Sequence, residues 1–188
     1  SFDELAKTAN KIGTTAEQLS RLQYAAEFAG VATTTLNMAM QRFTRRAAEA
    51  ANGTGEAQEA LQTLGINAKE FNKINLEQKM QILADSMGNV TDRGEKLRLA
   101  FKLFDSEGTA VLNMLEGGSA SLKKYGMEAD RAGVTVSNKL AYAAEIAADH
   151  LTTLNGALTG VTNEIASNSI TLFNAAATAM LRWAGVSV

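Results

Sequence analysis

A chain of 188 residues with 46% hydrophobic content is long enough to bury the core of one domain, or of a smaller domain plus an extension. Eighteen basic residues against twenty acidic ones leave a net charge of −2, which removes any global electrostatic reason to bind nucleic acid. With no cysteine, disulfides, thiolate metal sites and thiol catalysis are excluded together. With no proline, abundant alanine and few alternating β-branched runs, the chain reads as all-α. It begins at Ser1 without a charged-then-apolar leader, so it is expected to be an ordered window of a longer polypeptide.

In chain order, Thr14-Thr15-Ala16-Glu17 has capping-box spacing and predicts a helix running to about Ala29, closed by Gly30. The Thr33-Thr34-Thr35 cluster offers the next N-cap. The same alternation of closing glycine and opening cap recurs at Gly65 with Asn67 and Glu70, at Asn75 with Gln78, and at Gly88 with Asp92 and Glu95. Apolar stripes predict the buried faces: Leu36, Met40, Phe43 and Ala47, then Leu76, Met80, Leu83 and Met87, then Leu97, Phe101 and Phe104. Between them "ANGTGEA", residues 51–57, reads as the most flexible connection and the place where this region would hinge. Residues 1–134 are thus expected to form a glycine-punctuated multi-helix region.

The final third differs. From 135 to 185 the pattern predicts one long amphipathic helix, with apolar residues in alternating steps of four and three. Placing Leu140, Ala147, Leu154, Val161 and Asn168 at d puts Ala144, Leu151, Leu158, Ile165 and Leu172 at a, a heptad seam of about four repeats. Gly156 and Gly160 fall off the seam, at f and c, and positions e and g are mostly small, so interhelical ion pairs do not supply register. The reading is a parallel self-associating coiled coil; the alternative is that the seam covers the chain's own N-terminal helices. Leucine at both a and d leaves dimer, trimer and tetramer open, and Asn168 is the kind of buried polar residue that specifies a state. After Leu172 the apolar residues Ile170, Phe173, Met180, Leu181 and Trp183 spread around the helix. They suggest contact with a partner protein or a membrane, although Asn174 and Arg182 break the roughly 20 clean apolar residues that a span requires.

Sites for chemistry are sparse. His150, the only histidine, lies at a g position and has no second histidine with which to build a metal pair or triad in one chain. "DSEGTAV", residues 105–111, lacks calcium-loop spacing, and Asp105 and Ser106 are expected to cap the following helix. Glu56 and Glu59 read as solvated neighbours rather than an acid and a base. Arg42, Arg45 and Arg46 form the densest basic patch, which with Glu49 nearby reads as a solvent face or a contact for an acidic partner before it reads as a DNA contact. No catalytic residue, cofactor or metal is expected.

The ordered series "LAKTANKIGTTAEQLSRLQYAAEFAGVATTTLNMAMQRFTRRAAEAANGTGEAQEALQTLGI", residues 5–66, followed by "LRLAFKLFDSEGTAVLNMLEGG", residues 97–118, resembles phage tail tape measure proteins. Where that family usually has Phe-Gly, this chain has Phe104-Asp105. The resemblance implies a structural protein that sets tail length, occupies the tail tube lumen or tip in the virion, and leaves ahead of DNA during ejection. It implies as partners sister copies in a homotrimer matching threefold tail-tip symmetry, the tail tube, the tail-tip or hub proteins and a tail assembly chaperone, with the host cytoplasm as the place of assembly. Transient membrane contact, helping to form the DNA-delivery channel, is the alternative role. A continuous helix of this length would reach roughly 280 Å at about 1.5 Å per residue. The glycine-punctuated part is expected instead to be a folded element docked at the tail tip.

Overall fold

The computed structural model describes the backbone of residues 2–135 and 138–183, and the side chains of these except residues 2, 138–142, 144, 145, 169, 170, 172, 173, 181 and 183. Every element among the described residues is helical, so the fold is all-α: α1 Phe2–Ile12, α2 Ala16–Phe28, α3 Thr33–Ala51, α4 Glu56–Thr63, α5 Ala68–Lys73, α6 Leu76–Gly88, α7 Arg93–Phe104, α8 Gly108–Leu115, α9 Gly118–Arg131 and α10 Asn138–Trp183. The chain divides into a first unit, Ser1–Tyr142, and a second, Ala143–Val188. Among the described residues the fold contains no coiled coil.

Helix starts in the first unit follow local chemistry. Asn75 accepts from the Gln78 backbone N–H while the Gln78 side chain returns to the Asn75 N–H, a complete capping box. Asn67 and Asp92 cap α5 and α7 by accepting from the N–H groups of Glu70 and Glu95. At α2 the cap is Thr15, which accepts from the Gln18 N–H, and Thr14 instead donates its hydroxyl to the Gln18 side chain at 2.8 Å. The threonine cluster does not cap α3: Ala32 holds the N-cap position, without a side-chain bond, and Thr33 already lies in the helix. Gly30 and Gly65 adopt positive φ after α2 and α4, whereas Gly88 is the last residue of α6 and the cap passes to Asn89.

The first unit is organised around α3. Leu36, Ala39, Met40, Phe43, Ala47 and Ala50 are buried along one face, and α1, α2, α4, α5, α7 and α8 all pack on this helix. Phe43 sits at the centre, edge-on to Phe71 at 6.1 Å and tilted against Phe104 at 5.1 Å between ring centroids. The stripe Leu76, Met80, Leu83 and Met87 is buried as its spacing predicts. The stripe on α7 is buried only at Phe104. Leu99, Ala100, Leu103 and Phe104 face inward, while Leu97 and Phe101 are exposed, Phe101 to 52%. α7 carries apolar residues on opposite sides among its charged ones, and the side that packs on α3, α4 and α8 is the buried one; α8 approaches so closely that a Cβ on Gly108 would lie 2.7 Å from the Ala100 backbone.

The connection at 51–57 is not a loose joint. Thr54 donates both its N–H, at 3.0 Å, and its hydroxyl, at 3.1 Å, to the Glu49 carbonyl, and Asn52 bonds back to Ala48. Gly53 and Gly55 take φ of +77° and +80°, which folds α4 tightly back on α3. Ala57 is fully buried at the start of α4.

Candidate functional site

Two features stand out once the folding contacts are assigned: the arginine-bound turn after α7, and the side chains of α10. The basic patch of the sequence belongs to the first. Arg46 is buried and sends one nitrogen to the carbonyls of Phe101 and Lys102, at 2.9 and 2.8 Å, and the other to the Asp105 carboxylate at 2.8 Å. It thereby supplies donors and positive charge to the C-terminal end of α7, where carbonyls lack partners within the helix. Arg42 pairs with Glu107 and donates to Ser106 at 2.7 Å, and Arg45 pairs with Glu49 in the adjacent turn. The patch is therefore engaged within the chain, which removes the solvent-face reading for Arg42 and Arg46.

Asp105 caps no following helix. It ends α7 with φ of +63° and ψ of −142°, the one described non-glycine residue at positive φ, a conformation that glycine adopts freely and that costs other residues ~1–3 kcal/mol. The resembled pattern carries glycine at this position. α8 then begins at Gly108 with Glu107 at its N-cap and no side-chain cap bond. Glu59 bridges Lys102 and Arg98, both at 2.8 Å, and these bonds hold its carboxylate below the usual range. Its part is thus to tie α4 to α7.

Contacts distant in sequence close the unit. Arg21 on α2 donates to Asp130 on α9 at 2.9 Å and is also flanked by Glu17 and Glu77, at 2.8 and 3.5 Å. The hydrogen bond from Arg21 is the largest cause holding the Asp130 carboxyl below its ordinary value, and Thr135 adds a second donor at 2.6 Å. Asp85 on α6 accepts the Ser119 N–H at 2.7 Å, a bond that caps α9 from a neighbouring helix and lowers the Asp85 pKa. Phe28, 57% exposed, stacks on Tyr125 at 5.0 Å and meets Tyr24 at 4.9 Å. The ties of Arg21 to Asp130, Ser119 to Asp85 and Phe28 to Tyr125 are not legible locally because their residues lie far apart along the chain.

The second unit carries the predicted seam. α10 is a helix of 46 residues, and from Leu151 to Leu181 its only charged residue is Glu164. Leu151, Leu154, Leu158, Val161 and Ile165 are 67%, 56%, 54%, 52% and 60% exposed, large apolar side chains in one row and each more than half open to solvent. Ala147 and Asn168 in the same row are exposed as well. The seam side chains of Leu140, Ala144 and Leu172 lie outside the described residues, as do those of Ile170, Phe173, Leu181 and Trp183 in the suggested contact set; Met180 of that set is 72% exposed. Threonine hydroxyls between the apolar residues are satisfied internally. Thr152, Thr153, Thr159, Thr162, Thr171 and Thr178 each return a hydroxyl hydrogen bond, 2.8–3.0 Å long, to the carbonyl four residues earlier. Gly156 and Gly160 have open space where a Cβ would stand.

Among the described residues no group of three or more His, Asp or Glu is placed to hold a metal ion, and no described helix is long and apolar enough to cross a membrane. No family model, curated protein or solved structure matches the chain.

Proposed function

We propose that this chain is a structural segment of a phage tail tape measure protein: a compact helical unit joined to a helix that self-associates along its apolar seam. The observation that carries self-association is the row from Leu151 to Ile165, five large apolar side chains at heptad spacing and more than half exposed. Covering the exposed half of each contributes about 1 kcal/mol, so the row supplies about 5 kcal/mol per chain. Three copies together reach a gross gain that offsets the cost of association. The near absence of charge and the self-bonded threonine hydroxyls suit a surface that is dehydrated on assembly. Three parallel copies are favoured, with Asn168 stacked at one layer of the seam.

The phage assignment is supported by the ordered resemblance over residues 5–118. On this reading the first unit is a folded head at the tail tip, the seam helices form a rope in the tube, and the partners are tube, tip or hub proteins with a chaperone during assembly in the host cytoplasm. No enzymatic role is proposed. A membrane-active role for α10 is the second reading, and the internally bonded hydroxyls favour it as well.

Sedimentation equilibrium of the full chain tests the central claim. The expected result is a trimer that Leu154→Asp with Leu158→Asp converts to monomer while the first unit keeps its helicity. A wild-type chain that stays monomeric at high concentration overturns the seam. Leakage of anionic liposomes that survives in a confirmed trimer would favour the membrane role, and imaging of tails with antibody to the first unit tests location.

A further inference from the structure

We propose that the turn at residues 104–107 is a hinge at which α7 and α8 fuse into one continuous helix, with the α8–α9 arm exchanged between two copies of the chain. The largest departure from helical geometry between these helices is at one residue, with a smaller one at Phe104, whose φ and ψ are −118° and −2°. Asp105 has φ of +63°, whereas Glu107 and Gly108, with φ and ψ of −80°, −2° and −55°, −41°, already lie in or beside the right-handed helical region. The residues between form a 3₁₀ turn, and the chain has no proline to forbid continuation. Rotation at Asp105, with smaller adjustments at Phe104 and Glu107, would therefore yield a single helix over residues 93–115, about 35 Å long.

The closed turn is held from outside. In a continuous helix the Lys102 carbonyl would accept the N–H of Ser106, four residues on. In the structure Arg46 takes that place, bonding the Lys102 and Phe101 carbonyls and fixing the Asp105 carboxylate, while Arg42 holds Ser106 and Glu107. Arg46 thus substitutes for a helix hydrogen bond that the backbone would otherwise make itself. Gly108 is the second constraint: a Cβ there would strike the Ala100 backbone in the closed form, yet its dihedral angles suit any residue in a helix.

Opening a lone chain would expose Leu103, Phe104, Val111 and Leu115, all buried in the closed unit. A second copy that opens in the same way restores each of those contacts between chains, so exchange retains the core. The occupant of the vacated face is thus the α8–α9 arm of the partner copy.

The absence of cysteine permits a direct test. Phe28→Cys on α2 and Tyr125→Cys on α9, whose parent rings stack at 5.0 Å, are joined with a short bismaleimide after refolding at high concentration. In the closed form the link lies within one chain and runs as monomer on a denaturing gel; exchange places it between chains and gives a covalent dimer. Association through α10 alone leaves the link within one chain, so failure of this proposal and failure of the trimer are read separately. Gly108→Ala and Asp105→Ala are expected to raise the dimer band several-fold, and Asp105→Gly to lower it. Arg46→Lys, which cannot span both carbonyls and Asp105, is the milder opening variant should the first two fail to fold. Monomer bands alone in every variant that retains native helicity overturn the hinge.

Discussion

Replacing Arg46 with methionine tests whether the arginine clamp supports the first unit. Methionine keeps most of the buried stem and removes the guanidinium, so the loss is electrostatic rather than a cavity. Hydrogen bonds to charged groups contribute ~1.5–3 kcal/mol each. Two carbonyls are bound here, but Phe101 keeps the Asp105 N–H as donor, so its loss is partial. The Asp105 side chain is 34% exposed and water takes up part of its charge, leaving ~0.5–1 kcal/mol for that pair. Glu56, 60% exposed and 3.5 Å away, adds nothing measurable. The sum is about 3 kcal/mol. For a unit of this size, with a urea m-value of about 2 kcal/mol/M, the midpoint of unfolding followed by circular dichroism should fall by about 1.5 M. A second substitution, Asp105→Ala, should cost less in the Arg46→Met background than alone, because the pair is then already broken. A midpoint shift under about 0.5 M would refute the clamp and return Arg46 to the solvated face that its sequence neighbours suggest.

Further outcomes follow from other contacts. Gly55→Ala places a Cβ 2.8 Å from a Glu49 carboxylate oxygen at a residue with φ of +80°, and should lower stability by ~1–2 kcal/mol, read as a fall in melting temperature. Burial depresses the pKa of Lys79, so its protonated form disfavours the fold, and that penalty fades as pH rises from the folded value towards the ordinary lysine value. Lys79→Met should therefore stabilise by up to ~1 kcal/mol at neutral pH and flatten the rise in urea midpoint on the alkaline side. Asp130 is depressed by Arg21, so its contribution is present above the ordinary carboxylate pKa and lost as pH falls through the folded value. The urea midpoint should hold from neutral pH to near 5, drop below about pH 4, and drop less steeply in Asp130→Asn.

The parts of the fold that were legible in sequence are those decided within a few residues. Asn67, Asn75 and Asp92 each cap a helix because the cap oxygen and the N–H that donates to it lie three positions apart. The face of α3 was legible for a related reason, since its large apolar residues other than the exposed Met38 occupy one side. α7 was not, because Leu97 and Phe101 compete with Leu99 and Leu103 and the choice is made by packing on α3, α4 and α8, which are distant from it in sequence or formed only in the fold. Arg46 looked like a surface charge because Phe101, Lys102 and Asp105 lie more than fifty residues away in sequence. The seam of α10 was visible as a period, and five of its apolar residues are exposed in one row. What covers that row is a question of assembly, which a single chain does not contain.

The joining of α9 to α2, across 109 positions between Arg21 and Asp130, has a mechanical consequence. Tension applied along the chain from its C-terminal end arrives at α9 before any other helix of the first unit. The restraints it meets are the buried Leu122 and Ala129 packed against α2 and α6, the polar bonds from Arg21 to Asp130 and from Ser119 to Asp85, and the stacked ring of Tyr125. Once α9 peels away, α2 and α6 lose one side of their cover and α8 is next in line, so the first unit is wired to unravel from its tail end, as knitting does from its last stitch.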